Sequence, residues 1–378
     1  MSARGKDQPQ RILIIKLSAI GDVIQTLPMM EALKNQYPQA QIDWLVEEDA
    51  SELLIGHPAL NRVIVSRRKS WQRQLFQKSH FWATCSEIKK FVRELRGVHY
   101  DWVIDNHGIF KSGIMVALSR GRRKIGFKPF PGIADEGSYL FTNERYQPLP
   151  IERQALERYL DLIAQVGVSV KNRDLKFSLP AEAPHKAEKL LSEQDLTSSP
   201  LVVIHPMAKW ASKQWPLENF ARLAESLSNQ GASLVFTGSP EDREALESIL
   251  GQIQTQKRML NLAGKTDLKE LAGLFSLADL VLTPDTGPMH LAAAVHAPLI
   301  ALFGPTAPWR TGPYGNKHVI LRKSLACSPC FKKKCATMEC MNTLTVEEVL
   351  EAAKIKLRGV GDSRIQGVKS NTKTLRNL

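Results

Sequence analysis

The chain has 378 residues, of which 43% are hydrophobic and 24% charged, as in a globular protein long enough for two ordinary domains. No apolar run in the sequence reaches the ~20 residues that a membrane-spanning helix needs, so we do not expect such a helix. The formal net charge of +13 favours an anionic partner such as a phosphate-bearing lipid, a nucleotide or a nucleic acid, with a merely soluble basic surface as the equal alternative. The polar first ten residues lack an apolar signal region, so we expect a cytoplasmic protein.

The first half of the chain alternates between predicted strands and helices. A helix is predicted over 22–35, and strands are predicted over 12–15, 41–48, 61–66 and 101–108. The segment 67–97 between the last two strands is basic and rich in aromatic residues. This alternation is typical of a parallel sheet with helices on both faces.

The second half repeats the same architecture. Strands are predicted over 201–208, 233–238, 281–285 and 299–305, alternating with helices over 215–231, 240–250, 267–280 and 287–297. The Pro-rich stretch 177–184 is a candidate linker, so we expect one domain over 1–178, a second over 185–357 and a disordered basic tail over 358–378. The predicted class is α/β, with ligands bound in a cleft between the carboxyl edges of the two sheets.

Asp22 stands where the first strand passes into the first helix. Its carboxylate could act as a general base or orient a ligand at the mouth of the predicted cleft. The alternative is a helix N-cap, since Asp suits that position and the first backbone N–H groups of a helix lack partners.

The segment PDTGPMH, residues 284–290, lies at a second junction of strand and helix. Thr286 and Gly287 would present backbone N–H groups to a phosphate, and Asp285 could accept hydrogen bonds from sugar hydroxyls. Helix capping by Asp285 or Thr286 is the alternative. In the loop after strand 201–208, Lys209 or Lys213 could neutralise a diphosphate leaving group, although most loop lysines are simply solvated.

Two further polar loops follow predicted strands. Glu241 could accept hydrogen bonds from a ribose, or supply negative charge to the first turn of a helix. Asp105, His107 and Lys111 share the loop 105–113 in the first half. These loops meet in one cleft if the predicted architecture is correct.

Four stretches in matching order carry a resemblance that spans roughly residues 10–355: ILIIKLSAIGDVIQTLPMMEALK, DNHGIFKS, SKQWP and PDTGPMHLAAAVHAPLIALFGPT. They resemble the bacterial ADP-heptose:lipopolysaccharide heptosyltransferases of glycosyltransferase family 9. The resemblance implies a GT-B fold, in which two Rossmann-like domains with parallel sheets face each other across a cleft. The N-terminal domain would bind the acceptor and the C-terminal domain the nucleotide-sugar donor.

The resemblance further implies an inverting transfer of heptose from ADP-L-glycero-D-manno-heptose to the inner core of lipopolysaccharide, with no cofactor required for catalysis. Asp22 matches the catalytic base, Lys213 the residue that stabilises the donor diphosphate, and Asp285 the acidic residue that faces the donor sugar. Thr286 and Gly287 match the backbone that receives the phosphates. The expected donor-binding set is completed by Lys209, Glu241, Thr266 near the adenine, and His290. Where the family has two phosphate-binding threonines, this chain has Ala208 and Lys209.

The acceptor and the membrane are the other expected partners. Acceptor-binding residues are predicted at Arg67, Arg68, Lys69, Asp105, His107 and Lys111. The basic aromatic segment 67–97 fits a landing surface on the cytoplasmic face of the inner membrane, with an amphipathic surface helix as the alternative. No nucleic-acid recognition motif accompanies the charge, so nucleic acid is not an expected partner.

Four of the five cysteines, Cys327, Cys330, Cys335 and Cys340, have the spacing C-x2-C-x4-C-x4-C. Four thiolates in so short a stretch could bind a structural Zn²⁺ tetrahedrally, and the lysines at 332–334 would favour the thiolate form. Disulfides or free thiols are the alternatives.

The sequence thus predicts a lipopolysaccharide heptosyltransferase. The nearest alternative is a family 9 transferase that uses another nucleotide sugar. A GT-B sugar-nucleotide epimerase would turn over a nucleotide sugar without an acceptor, and a non-catalytic scaffold would bind ligand without turnover.

Overall fold

The computed structural model describes residues 8–77, 79–133, 136–171, 173–197, 200–254 and 258–358. The chain divides into two compact units, Met1–Lys176 and Phe177–Leu378. Of the predicted basic tail, only residue 358 lies within the described residues.

The first unit is built on a six-stranded parallel sheet. Its strands are β1 (Arg11–Ile15), β2 (Gln41–Glu47), β3 (Arg62–Ser66), β4 (His99–Asp105), β5 (Arg120–Phe127) and β6 (Glu144–Tyr146). Its helices are α1 (Ile20–Gln36), α2 (Glu48–Ser51), α3 (Arg68–Gln74), α4 (Phe81–Arg96), α5 (Phe110–Leu118) and α6 (Ala155–Gln165). The strand order β3-β2-β1-β4-β5-β6 is that of a Rossmann fold, and it reverses direction beside β1.

The second unit repeats this order in its own parallel sheet, β12-β11-β10-β7-β8-β9. Its strands are β7 (Leu201–Ile204), β8 (Ser233–Phe236), β9 (Met259–Asn261), β10 (Leu280–Pro284), β11 (Leu299–Phe303) and β12 (Val319–Arg322). Its helices are α7 (Glu182–Glu193), α8 (Leu217–Asn229), α9 (Arg243–Leu250), α10 (Leu268–Leu277), α11 (Gly287–Ala294), α12 (Pro308–Thr311), α13 (Glu339–Asn342) and α14 (346–358).

The central strands are apolar on both faces, which is why each sheet is covered by helices on both sides. The last four residues of β1 and all residues of β7 and β10 are buried. These strands place the residues that follow them at the carboxyl edge of each sheet, where open α/β sheets bind ligands. The predicted α/β class with two parallel sheets is confirmed.

The sequence missed the strands β5, β6, β9 and β12. In β5, four of eight residues are basic, and the guanidinium of Arg123 lies over the Trp102 ring while pairing with Glu144. Such pairing lets a charged strand enter a sheet without an apolar pattern. Within the ranges that the structure describes, no helix is both long enough and apolar enough to cross a membrane.

Candidate active site

Asp22 lies in the first turn of α1, which begins after the short loop that follows β1. One carboxylate oxygen, Oδ2, accepts the backbone N–H of the N-cap residue Ala19 at 3.2 Å. The other, Oδ1, accepts the hydroxyl of Tyr159 at 2.9 Å. Asp22 is therefore not the N-cap residue itself, although it satisfies the backbone there. Its side chain is 41% exposed, so the carboxylate can also reach a ligand.

A buried lysine forms an ion pair with this carboxylate. Lys16 follows β1, its side chain is 4% exposed, and its Nζ lies 3.8 Å from Asp22 Oδ1. The same Nζ donates hydrogen bonds to the Tyr159 hydroxyl at 2.7 Å and to the Asn106 carbonyl at 3.2 Å. Tyr159, on α6, thus accepts from Lys16 and donates to Asp22. Such a chain polarises each hydrogen bond in it and fixes the orientation of the carboxylate.

The electrostatics of this network keep the carboxylate charged. Burial acts to raise the pKa of Asp22, but the Lys16 ammonium, and after it His107, act in the opposite direction. The hydrogen bonds from Tyr159 and Ala19 add to that opposition, and the pKa falls below its ordinary value. The pKa of Lys16 is itself lowered, chiefly because its ammonium is buried. At neutral pH the site presents an ionised, oriented carboxylate.

His107 lies beside this carboxylate as a neutral ring. Burial and the cations Lys16 and Lys111 lower the pKa of His107 well below its ordinary value, against the attraction of Asp22. Its Nδ1 accepts the backbone N–H of Leu17 at 3.1 Å, which assigns the ring proton to Nε2. A neutral imidazole of this tautomer can donate one hydrogen bond to a ligand hydroxyl.

The side chain of Asp105 accepts hydrogen bonds from residues of the loop that follows it. Its Oδ1 accepts the backbone N–H groups of His107 at 3.1 Å and Gly108 at 3.2 Å, and Oδ2 accepts the Ser112 hydroxyl at 3.1 Å. Burial raises the pKa of Asp105 despite these hydrogen bonds. The geometry makes Asp105 a residue that shapes the loop of His107, and direct contact with an acceptor stays a prediction.

Glu47, at the end of β2, gathers three of the predicted acceptor-binding cations. Its carboxylate is 2% exposed and lies 3.1 Å from Arg68 Nη2, 3.3 Å from Lys111 Nζ and 3.8 Å from Lys69 Nζ. Lys111 also donates to the Ser18 hydroxyl at 2.9 Å. Sequence reasoning missed Glu47, because an acidic residue at the end of a strand looks like an exposed loop charge.

The remaining cations of this group are paired as well. Arg67 lies 3.1 Å from Glu48 and 4.0 Å from Glu87, and Lys69 also pairs with Asp49. The four predicted cations therefore face nearby carboxylates that compensate much of their charge. An anionic acceptor would have to compete with these ion pairs.

In the second unit, Lys213 and Asp285 form the ion pair of a second polar site. Lys213 Nζ lies 2.8 Å from Asp285 Oδ2, and both side chains are largely buried. The same Oδ2 accepts the Thr306 hydroxyl at 2.6 Å. Lys213 ends a short 3₁₀ turn beyond β7, while Asp285 and Thr306 follow β10 and β11. Three neighbouring strand ends thus supply one cation, one anion and one hydroxyl.

The start of α11 adjoins this pair. Thr286 is the N-cap residue, although its side chain makes no capping hydrogen bond, and Pro288 occupies the first turn. Asp285 does not cap the helix, because its carboxylate is engaged by Lys213 and Thr306. The backbone N–H groups of a first helical turn, beside a lysine, are suited to a phosphate.

The other predicted donor-binding residues are more dispersed. His290 is buried within α11, Lys209 and Glu241 are exposed, and Thr266 is half-buried just before α10. In the described part of the chain, no hydrogen bond or ion pair joins Lys209, Glu241 or Thr266 to the Lys213–Asp285 pair. Their roles stay predictions.

Besides Glu47, the structure adds three residues that sequence reasoning missed: Lys16, Tyr159 and Thr306. Lys16 carried a signal, since a lysine directly after a four-residue buried strand is exceptional and needs a partner. Tyr159 and Thr306 carried no local signal, because their partners lie far away in the sequence.

The four clustered cysteines are free thiols in this structure. Cys327 and Cys335 are exposed, Cys330 is half-buried and Cys340 is buried. Among the described residues, which include all four, no group of three or more His, Cys, Asp and Glu is arranged to hold a metal ion. The structural zinc at these cysteines stays a prediction.

Comparisons with known proteins place this chain and its fold in one family. The model of "Glycosyltransferase family 9 (heptosyltransferase)" matches residues 88–341. Lipopolysaccharide heptosyltransferase 1 of Pseudomonas aeruginosa is 33% identical over 334 residues, covering 86% of this chain and 87% of that protein. Lipopolysaccharide heptosyltransferase 2 of Salmonella typhimurium is 30% identical over 323 residues, covering 82% of this chain and 88% of that protein.

A solved structure shows the same fold. The E. coli heptosyltransferase WaaC with ADP superposes with a TM-score of 0.74 and 26% identity, covering 92% of this chain and 99% of that one. WaaC has also been solved with ADP-2-deoxy-2-fluoro heptose. The extent of the family match and the identity to curated relatives settle the classification: the chain belongs to glycosyltransferase family 9, the heptosyltransferase family, and is a glycosyltransferase.

Proposed function

We propose that this enzyme transfers heptose from ADP-L-glycero-D-manno-heptose to the inner core of lipopolysaccharide, with inversion at the anomeric carbon. The observation that carries the proposal is the exposed, ionised carboxylate of Asp22, held at a strand end by Tyr159 and Lys16. Relatives named as lipopolysaccharide heptosyltransferases, and a structural relative solved with a fluorinated ADP-heptose, support the choice of donor and acceptor.

In this proposal Asp22 is the general base. Its carboxylate accepts the proton of the acceptor hydroxyl as that oxygen attacks the anomeric carbon. The bond from the anomeric carbon to the diphosphate oxygen breaks at the same time, and ADP leaves with the bonding electron pair. Tyr159 and Ala19 each donate one hydrogen bond to a carboxylate oxygen, and the side chain stays 41% exposed to an acceptor.

Lys213 offsets the charge that grows on the leaving diphosphate. Its ammonium is already placed by Asp285 at 2.8 Å, and Thr306 orients that carboxylate. Because this position is fixed before the reaction, little reorganisation is required in the transition state. The first turn of α11, at Thr286 and Gly287, adds backbone N–H donors to the same phosphates.

We also propose that the segment 67–97 binds the cytoplasmic face of the inner membrane. It contains nine Lys or Arg residues and two Glu residues, so its net charge is +7, compared with +13 for the whole chain. Phe76 and Trp82 are 91% and 81% exposed, beside the partly exposed Phe81. Aromatic side chains next to basic ones suit the interface of an anionic bilayer. Because Arg67 and Lys69 are engaged in ion pairs, the aromatic residues and α4 carry this proposal.

The test is ADP release from ADP-L-glycero-D-manno-heptose with two acceptors, one bearing Kdo alone and one already bearing a heptose. We expect release that depends on the acceptor, and the preferred acceptor names the step. Asp22→Asn should lower kcat by about 10²–10⁴-fold while ADP binding persists. Asp161→Asn, an amide substitution elsewhere in the same unit, is the matched control.

Each alternative predicts a different result. Conversion of the donor into a different sugar nucleotide, without any acceptor and without net release of ADP, would indicate an epimerase. Absence of release from protein that binds ADP would indicate another donor sugar or a later acceptor. If Asp22→Asn transfers heptose as fast as Asp161→Asn does, Asp22 is not the general base. Its role is then only to accept the backbone N–H of Ala19 at the start of α1.

A further inference from the structure

The proposed function assigns no role to the four-cysteine segment. This segment nevertheless contacts the residues next to Lys213 and the residues next to Thr306, which binds Asp285. Residues 327–340, the cysteine loop, run from beyond β12 into α13. Between β12 and α13 the structure shows neither helix nor strand in this segment, all of which it describes. Its conformation therefore depends on side-chain and backbone contacts with its neighbours.

The first contact is with the turn that carries Lys213. Ser212, immediately before it, is buried and donates its hydroxyl to the Lys332 carbonyl at 2.6 Å. The Ser212 backbone N–H points to the Lys333 carbonyl at 3.4 Å. Two hydrogen bonds from one residue fix the backbone of the turn to the cysteine loop, and Lys213 is the next residue along it.

A shared aromatic ring adds a side-chain contact at the same place. Lys213 Nζ lies 4.5 Å from the centroid of the Trp210 ring, and Lys333 Nζ lies 5.7 Å from it. Both ammonium groups are within the range of a cation–π interaction. The cysteine loop thus adds a second cation to the surroundings of Lys213.

The second contact is with the segment that carries Thr306. The backbone N–H groups of Cys330 and Phe331 both donate to the Pro305 carbonyl, at 2.9 and 2.8 Å. The Ser328 hydroxyl donates to the Gly304 carbonyl at 2.6 Å. Thr306, the residue after Pro305, donates its hydroxyl to the Asp285 carboxylate. The loop therefore fixes the backbone on both sides of the ion pair.

The packing of the loop leaves little freedom. A Cβ at Gly304 would lie 2.5 Å from Met341 Sδ and 2.9 Å from Cys340 Sγ, so a side chain there would displace one or both of these residues. Phe331 and Met338 have φ values of 54° and 46°, in the left-handed region that non-glycine residues rarely adopt. Such conformations persist where the surrounding contacts determine them, often at functional sites.

We propose that the cysteine loop is a positioning element of the diphosphate site, and that Ser212 is the positioning residue through which it places Lys213. Its anchors at Ser212 and Pro305 hold Lys213 and Thr306 against the two sides of Asp285, so the donor diphosphate meets a preformed cation. The identity of the ligand rests on the proposed function. The catalytic base in the first unit plays no part in this role.

Ser212→Ala tests the proposal directly. The variant removes the hydroxyl's hydrogen bond to the Lys332 carbonyl but does not change the chemical structure of Lys213. We expect the Kd for ADP and the KM for the donor to rise about fivefold to tenfold, with kcat changed far less. The matched control is Ser276→Ala, which removes an equivalent hydroxyl-to-carbonyl bond, to Gly273 at 2.7 Å, on α10 of the same unit.

Alkylation of the wild-type protein gives a second readout that does not depend on a variant folding. The exposed Cys335 thiolate displaces iodide from iodoacetamide and forms a carbon–sulfur bond. Because ADP would bind Lys213 and tighten the attached loop, ADP should slow this reaction at Cys335. The reaction at Cys85, on α4 of the first unit, should be unaffected, and peptide mass spectrometry measures both rates.

The outcomes separate this inference from the proposed function. Failure of the wild-type protein to bind ADP would overturn both the donor assignment and the positioning role. Equal ADP affinity of Ser212→Ala and Ser276→Ala would overturn the positioning role alone. If Ser212→Ala does not fold, equal alkylation of Cys335 with and without bound ADP overturns it instead.

Discussion

Replacing Tyr159 by Phe removes the one hydroxyl group that connects Lys16 to Asp22 and keeps the aromatic ring. That hydroxyl donates to Asp22 Oδ1 at 2.9 Å and accepts from Lys16 Nζ at 2.7 Å. Its loss removes a hydrogen bond that favours the charged carboxylate, so the pKa of Asp22 should rise. Because the base must be ionised to accept a proton, the acid limb of the kcat/KM profile should move to higher pH.

The size of the shift follows from the exposure of the two partners. A hydrogen bond to a charged group contributes about 1.5–3 kcal/mol when well buried. Asp22 is 41% exposed, so solvent reduces this to about 1 kcal/mol, which corresponds to somewhat less than one pKa unit. Lys16 keeps the Asn106 carbonyl but loses its shortest hydrogen bond while buried, so the variant should also be destabilised, by about 1–3 kcal/mol.

The assay is acceptor-dependent ADP release measured from acid to neutral pH, together with the melting temperature. Tyr139→Phe, which removes a hydroxyl elsewhere in the same unit, is the matched control. An acid limb at the same pH in both variants would refute the reasoning that Tyr159 tunes Asp22. A shifted limb without a fall in melting temperature would refute only the argument for Lys16.

Three further predictions concern other parts of the molecule. Lys213→Ala should raise the Kd for ADP about tenfold or more and lower kcat, as measured by calorimetry and ADP release, since Asp285 would then face the diphosphate uncompensated. Burial lowers the pKa of His205 to about 4, so the folded state resists a proton that the unfolded chain accepts at about 6.5. The free energy of unfolding should therefore fall by up to about 3 kcal/mol as the pH drops through this range, and His205→Asn should flatten that part of a denaturation series. Replacing Phe76 and Trp82 by Ser should reduce sedimentation with vesicles that contain anionic phospholipid, whereas unchanged sedimentation would contradict the membrane surface.

The residues that could be predicted are those whose position follows from the sheet. Asp285 directly follows the apolar strand β10, and Asp22 and Lys213 lie in the segments that follow β1 and β7. The carboxyl ends of parallel strands share one edge of a sheet. That reasoning needs only the local pattern around each residue, and the structure confirms their positions at strand ends. A local sequence pattern does not predict which residues contact one another. Glu241 and Thr266, for example, make no hydrogen bond or ion pair with Lys213 or Asp285 among the described residues.

The residues that could not be predicted are held by distant partners. Tyr159 meets Asp22 across 137 positions of sequence, and Glu47 meets Arg68 across 21. The surface charge was visible in the composition, but its compensation by Glu47, Glu48 and Asp49 was not. Pairing of this kind is decided by packing, which also explains why the basic strand β5 escaped detection.

The distance between Asp22 and Tyr159 has a consequence during synthesis. A chain grows from its N-terminus at ~5–20 residues per second, so roughly 7–27 s separate the appearance of Asp22 from that of Tyr159. All six strands of the first sheet precede α6, so the nascent chain can complete that sheet while Lys16 still lacks its aromatic partner. Burial of this ammonium group with only the Asn106 carbonyl as acceptor, and without the shorter hydrogen bond to Tyr159, is unfavourable. We therefore expect the emergence of α6 from the ribosome, rather than completion of the sheet, to be the event that locks the first unit into its native form.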